Sequence, residues 1–194
     1  GEVEEAMSAA GAAVIVVSGK AGVEVGTEKA WDLCEKYNLP RIIYVDGMDI
    51  DNASFRQVVE DLTEKYGKKI APFHLPIREN EKFVGYINVI SETGNRWQGK
   101  EVVPCDIPDY SKDNLQICKD TLLETVAETS EEFMERYFGG DTFSEAEIRA
   151  ALRTNVMDGN VVPVTMGSNI LCQGIYTLLD DIVNDLKIGA ITPT

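Results

Sequence analysis

The chain has 194 residues, 44% of them apolar and 26% charged, and a formal net charge of −15. Those proportions belong to a soluble globular chain that can bury a core without disulfide or metal staples, and they exclude a disordered chain. The negative balance argues against phosphate-driven binding of nucleic acid, which needs clustered Lys and Arg, and so against direct DNA binding.

The longest apolar run, residues 12–17, is far too short to cross a bilayer, so no membrane partner is expected. No stretch combines a basic start, an apolar segment and a small-residue cleavage site, which leaves a cytoplasmic location as the expectation. Cys34, Cys105, Cys118 and Cys172 form no CxxC pair, and there is one histidine, so no metal site is expected. Free thiols in a reducing compartment are the simplest reading.

In chain order, residues 12–17 (AAVIVV) and 41–45 (RIIYV) are continuous apolar runs suited to strands buried in a parallel sheet. Between them Thr27 is placed to cap a helix with Ala30, Trp31 and Cys34 on one face. Asp51 or Asn52 is placed to cap a second helix carrying Phe55, Val58, Val59, Leu62 and Tyr66. This strand-helix-strand-helix order predicts right-handed crossovers.

The texture changes near Gly67. Residues 70–77 and 83–90 read as an antiparallel hairpin joined by a polar loop, 78–82, followed by a Gly-, Asn- and Ser-rich loop and a short strand at 101–103. One long helix is predicted over 112–138, ended by Gly139 and Gly140. Ser144 with Glu147 forms a capping box for a shorter helix through Ile148, Ala151 and Leu152. Residues 161–166 return to the first texture, with Pro163 pointing to an edge position. A last helix carries Ile175, Leu178, Leu179, Ile182, Val183 and Leu186 on one stripe. The fold class is therefore α/β: three parallel strands with flanking helices in residues 1–67 and 159–187, interrupted at 68–158 by an α+β insertion. That insertion holds an antiparallel sheet and two helices, and 188–194 form a tail without an assigned role.

Several segments, taken in order, carry a family likeness. They are GEVEEAM at the start, GKAGVEVGTEKAW (19–31), PRIIYVDGMD (40–49), AETSEEFMERYFGG (127–140), EIRAALRTNV (147–156) and VPVTMGSN (162–169). Together they resemble the elongation factor G family of ribosomal translation GTPases, from just after the second switch to the end of the P-loop GTPase-type domain. The resemblance implies a fragment whose parent binds and hydrolyses GTP on the ribosome during translocation, with Mg held in the half that this piece lacks. The chain has no GxxxxGK[ST] run to cradle phosphates, and the family's switch histidine would lie before Gly1. No catalytic residue and no bound GTP or GDP is thus expected in the fragment alone, and His74 reads as structural.

By the same resemblance, Asp46, Gly47, Met48 and Asp49 stand where the family has its guanine-specificity motif, Asn-Lys-x-Asp, and Ser168 and Asn169 where a loop closes over the base. Asp49 keeps the place of the Asp that accepts from guanine N1 and the amino group. Asp46 replaces an amide with a carboxylate that cannot donate, and Gly47 loses the aliphatic stem that packs on the ring. These departures support an alternative parent: a degenerate or ribosome-protection paralogue that binds the ribosome with little or no GTP turnover.

Asp120, Glu124, Glu128, Glu131, Glu132 and Glu135 fall on one face of the long predicted helix, opposite Leu115, Cys118, Leu122, Val126, Phe133 and Tyr137. Because the family's insertion contacts the ribosomal stalk, the acidic face is a candidate site for the carboxyl-terminal domain of the stalk protein. Truncation would also leave the edge of the 12–17 strand open to self-association.

Overall fold

Burial along the first two strands sets the order of the main sheet. In β1 (Ala13–Ser18) Ile15 and Val17 are buried while Val14 and Val16 face outward; in β2 (Arg41–Asp46) five successive residues are buried. A strand with an open flank belongs at an edge and one covered on both faces belongs inside. In the computed structural model, which describes residues 1–183, β1 is the outer strand of a parallel sheet. β2 lies next to it, then β8 (Val162–Met166), then β3 (Ile70–Pro72).

The α/β class with an antiparallel insertion is as the sequence implies, but the parallel sheet has a fourth strand. Residues 70–77 are not one hairpin arm. They divide at Phe73, whose N–H donates to Val164 O at 3.0 Å while its carbonyl accepts from Val89 N–H at 2.9 Å. This buried residue is the seam between the two sheets. Because β3 flanks β8, Pro163 is not on an edge strand. Val162 N–H donates to Lys69 O and Val164 O accepts from Phe73, so both face β3, and Pro163 faces β2 one residue before that pairing begins at Val164. Its missing N–H breaks no rung.

The helix starts also shift. α2 (Val25–Lys36) is capped by Glu24, with Thr27 as the reciprocal partner in a capping box and not as the cap itself. α3 (Phe55–Tyr66) is capped by Ser54, whose hydroxyl accepts from Gln57 N–H at 3.2 Å. Asp51 and Asn52 belong to the preceding turn, where Asn52 takes φ 65°. The opening helix, α1 (Glu2–Ala9), packs Met7 on the core and pairs Glu4 with Lys36.

The insertion's sheet runs β4 (His74–Glu79), β5 (Lys82–Asn88), β6 (Thr93–Gln98), β7 (Glu101–Cys105), all antiparallel. The expected longer loop at 78–82 is a tight turn instead, with Asn80 and Glu81 both at positive φ, and the Gly/Asn/Ser-rich loop contains β6. Three helices follow: α4 (Asp109–Ala127), α5 (Glu131–Phe138) and α6 (Glu145–Met157). The single helix expected over 112–138 is broken at 128–130. There Thr129 Oγ1 donates back to Val126 O at 2.7 Å and Ser130 caps Phe133 N–H, so α5 turns back onto α4. α6 keeps its expected Ser144–Glu147 box.

Two apolar clusters hold the layers. One joins Ile15, Val17, Ile43 and Val58 to Leu75, Ile77 and Ile87, so the insertion's sheet shares a core with β1 and β2. The other packs Ile42 and Phe73 under Leu122, Phe133, Leu152 and Val156. In α7 (Ile175–Asp181) and the turn after it, Leu178 and Ile182 face the second cluster, while Leu179 and Val183 are exposed. Leu186 and the 188–194 tail lie outside the described residues. Among those described, no helix is long and apolar enough to cross a membrane.

Candidate functional site

Three strands of the parallel sheet end side by side, and the loops that leave their carboxyl ends are stitched together by main-chain hydrogen bonds. Gly19 N–H donates to Asp46 O at 2.8 Å, and Ser54 N–H to Gly19 O at 2.9 Å. Gly167 N–H donates to Val45 O at 2.9 Å, and Met48 N–H to Gly167 O at 3.0 Å. In open α/β sheets this end is where ligands are held.

The six residues expected in the base-binding loops come together here. The Asp46 carboxylate accepts from Asn169 N–H at 2.8 Å. Met48 is fully buried and anchors its loop from below. Ser168 is also buried; its backbone pairs with Gln173 at 2.8 and 3.0 Å and its hydroxyl accepts from Leu171 N–H at 3.2 Å. That hydroxyl is committed to holding the loop, which leaves Asn169 on the exposed side. Asp49 differs from the rest: its Oδ1 is buried and has no hydrogen-bond partner in the protein. A buried carboxylate oxygen without a donor is costly, of order 1–3 kcal/mol, and is rare in folded chains unless it has a use.

Two glycines permit this geometry. Gly47 has φ +74°, and a Cβ there would stand 3.0 Å from Cδ1 of Ile50. A Cβ on Gly167 would collide with Tyr44 Oη and Gln173 O. The close approach of the two loops therefore needs glycine at 167.

Sequence reasoning missed Arg78. Its Nη2 donates to Met48 O at 3.1 Å and to Ala53 O at 3.0 Å, the two carbonyls that bracket 49–52. The one signal was a lone arginine in a polar run between two apolar strands, which reads equally well as a solvated loop.

The six acidic residues do not form one helical face. Asp120, Glu124 and Glu128 lie on α4 or its cap, and Glu131, Glu132 and Glu135 on α5, which the turn at 128–130 folds back. Tyr137 Oη reaches Glu124 at 3.5 Å, Gln116 donates to Asp120 at 2.8 Å, and Lys68 pairs with Glu128. Glu124, Glu131, Glu132 and Glu135 are not all equally open, but none is buried, and Asp120 is half-buried.

His74 begins β4, buried against Tyr86 at a ring distance of 4.7 Å. Burial, helped by the charge of Arg149, holds its imidazole far below the usual range, at about 3, so it is neutral at pH 7. Its Nε2 is 3.7 Å from Asp181 Oδ2. Among the described residues no three His, Cys, Asp or Glu side chains gather as metal ligands would, and the four cysteines are unpaired.

Residues 1–187 match the elongation factor Tu GTP binding domain family. The chain belongs to that family. It is 35% identical over 193 residues to elongation factor G of Neorickettsia sennetsu, a match that takes in 95% of this chain and 27% of that protein. It is similar in structure to a protein of Thermus thermophilus known from a crystal structure. There the TM-score is 0.88 and the identity 32%, over 95% of this chain and 28% of that one. The chain thus spans about a quarter of the relatives' length, and the likeness to elongation factor G read from the sequence is borne out. Asp46 and Gly47, expected from the resemblance to depart from the family's motif, lie in the loop that Asn169 and Gly167 hold.

Proposed function

We propose that this chain supplies the base-recognising side of a guanine-nucleotide site in an elongation factor G-like translation factor. The observation that carries this reading is the half-buried Asp49, whose Oδ1 is buried and without a donor, in a loop held against the 168–169 loop. Guanine N1–H and its amino group would give that carboxylate the donors it lacks, whereas adenine offers no such pair. Asp46, Gly47, Met48, Ser168 and Asn169 shape the loops around it.

Phosphates and Mg would be held by residues outside these 194, since no GxxxxGK[ST] run is present and most affinity in such sites comes from phosphate contacts. Alone, the chain is therefore not a GTPase and binds GTP or GDP weakly. In a longer protein it would serve GTP hydrolysis during ribosomal translocation in the cytoplasm. The insertion, expected to begin at 68, would begin after β3, which belongs to the parallel sheet. Residues 73–158 would then act as the inserted subdomain and meet the ribosomal stalk through acidic α4 and α5. The carboxylate at 46 favours a second reading, a ribosome-binding paralogue with little turnover.

Titration of the isolated chain with millimolar GMP, followed by amide shifts, tests the base-binding reading. Asp49 and Asn169 should move with GMP and stay in place with AMP. Equal movement with both nucleotides, or none with either, would refute it.

A further inference from the structure

Arg78 lies on the insertion's first antiparallel strand, yet its guanidinium reaches the loop at the end of β2. Both hydrogens of Nη2 are used there, one on Met48 O and one on Ala53 O, while Nη1 donates to Glu81 O at 2.7 Å in the hairpin's own turn. All three acceptors are neutral carbonyls of the backbone. Charge-assisted bonds in a fixed fork impose geometry as well as energy. A single side chain thus ties a turn of the insertion to the two ends of the segment that contains Asp49.

The backbone of Arg78 is itself held. It sits at a register irregularity in the β4–β5 pairing, between Ile77 and Arg78. Tyr110, in the first turn of α4, grips it from outside: Arg78 N–H donates to Tyr110 Oη at 3.1 Å, and the same hydroxyl donates to Arg78 O at 3.0 Å. Tyr110 is exposed, with its ring largely in solvent. Its two bonds to one residue are its clear structural purpose. A continuous chain of contacts therefore runs from the start of α4 through Tyr110 and Arg78 to the carbonyls of 48 and 53.

We propose that Arg78 is a positioning residue for the loop that carries Asp49, and that Tyr110 sets Arg78 from α4. The insertion would then govern how firmly the chain holds a guanine base. This rests on the reading of Asp49 as the base acceptor. It adds that neither Arg78 nor Tyr110 touches the base, and that both act on affinity through the loop. Movement of α4 on meeting a partner would be felt at Asp49 through the same two side chains.

The test combines amide hydrogen exchange with the GMP titration on the 194-residue chain and its Arg78→Lys, Arg78→Ala and Tyr110→Phe variants. Lysine keeps the charge but cannot span both carbonyls and the turn. Exchange at Ile50 and Ala53, whose N–H groups bond within the loop, should rise about tenfold in Arg78→Ala, the equivalent of one or two lost hydrogen bonds. It should rise in Arg78→Lys and Tyr110→Phe as well, with exchange in β6 and α6 unchanged. GMP should bind each variant several-fold more weakly. Tyr110→Phe alters an exposed hydroxyl, so it keeps the question open to measurement even if Arg78→Ala unfolds. Wild-type loop exchange in Tyr110→Phe, or full rescue by lysine, would overturn the proposal. If GMP moves no loop amide in the wild type, the base-binding reading fails, and the exchange rates still decide whether Arg78 and Tyr110 hold the loop.

Discussion

The Asp46 carboxylate accepts the backbone N–H of Asn169 at 2.8 Å, joining two loops that stand 123 residues apart in the chain. An asparagine could make the same bond through its Oδ1 and would have an amide donor to spare. Asp46→Asn should therefore leave stability unchanged and tighten GMP binding, by up to about 1–3 kcal/mol if the amide meets the base squarely. Gly47→Lys is a different case. At φ +74° and against Ile50, a side chain at 47 costs about 1–2 kcal/mol of stability. Calorimetric GMP titration and urea unfolding of each single variant separate the two effects. Equal gains in affinity from both changes would contradict this account of the loop.

His74 gives the chain a dependence on acid. Its folded value of about 3 lies below the ordinary 6.5, so between those values the unfolded chain binds more protons than the folded one. Stability is then complete above about pH 6.5 and falls as pH is lowered toward 3, by up to about 1.4 kcal/mol per pH unit. Arg149 opposes the imidazolium, while the Asp181 carboxylate lies 3.7 Å away. His74→Phe, which can still pack on Tyr86, should flatten that part of a stability-against-pH curve measured by urea unfolding. An unchanged slope would assign the acid sensitivity to other groups.

Strand β1 ends the parallel sheet with its outer backbone edge unpaired among the described residues, and with Val14 and Val16 exposed, at 40% and 61%. Such an edge is a template for another strand. The chain should form dimers or larger species at high concentration in sedimentation experiments, and Val16→Lys should return it to monomer. A monomeric wild type at high concentration would refute pairing through this edge.

Much of this was legible in the sequence because continuous apolar runs and helical stripes report burial directly. The runs at 12–17 and 41–45 became β1 and β2 almost residue for residue. The failures share a cause. Caps and breaks depend on which of several neighbouring polar residues is used, so Ser54 was passed over for Asp51 or Asn52, and Ser130 went unseen inside a pattern that continued across it. The pairing of β3 with β8 brings together residues about ninety apart, which no local pattern encodes. The two loops singled out by family likeness do lie together, joined by the Asp46–Asn169 and Met48–Gly167 hydrogen bonds. The contacts of Arg78 and Tyr110 were not legible, because they are made to backbone carbonyls and amides that any sequence could present.

The broken helix changes what the acidic residues can do. Six carboxylates spread over two packed helices make a broad patch in place of a strip, and Lys68 already neutralises Glu128. Steering of a basic partner survives such a change, since it depends on the summed field and weakens with salt. Reversal of Glu124, Glu128 and Glu131 to Lys should slow association with stalk-bearing ribosomes at low salt, while each exposed pair contributes about 0–1 kcal/mol to affinity. Stopped-flow association rates at two salt concentrations measure this, and wild-type rates in the triple variant would leave the patch as solvated surface.

Exchanging the acceptor at Asp49 for an amide should invert the choice of base. A carboxylate suits guanine, which offers two donors at N1 and the amino group. An amide suits xanthine, whose second position carries a carbonyl. Titrations of wild type and Asp49→Asn with GMP and xanthosine monophosphate, read at the Asn169 amide, should show preference for GMP in the first and for the xanthine nucleotide in the second. An unchanged preference in Asp49→Asn would mean that Asp49 does not read the base.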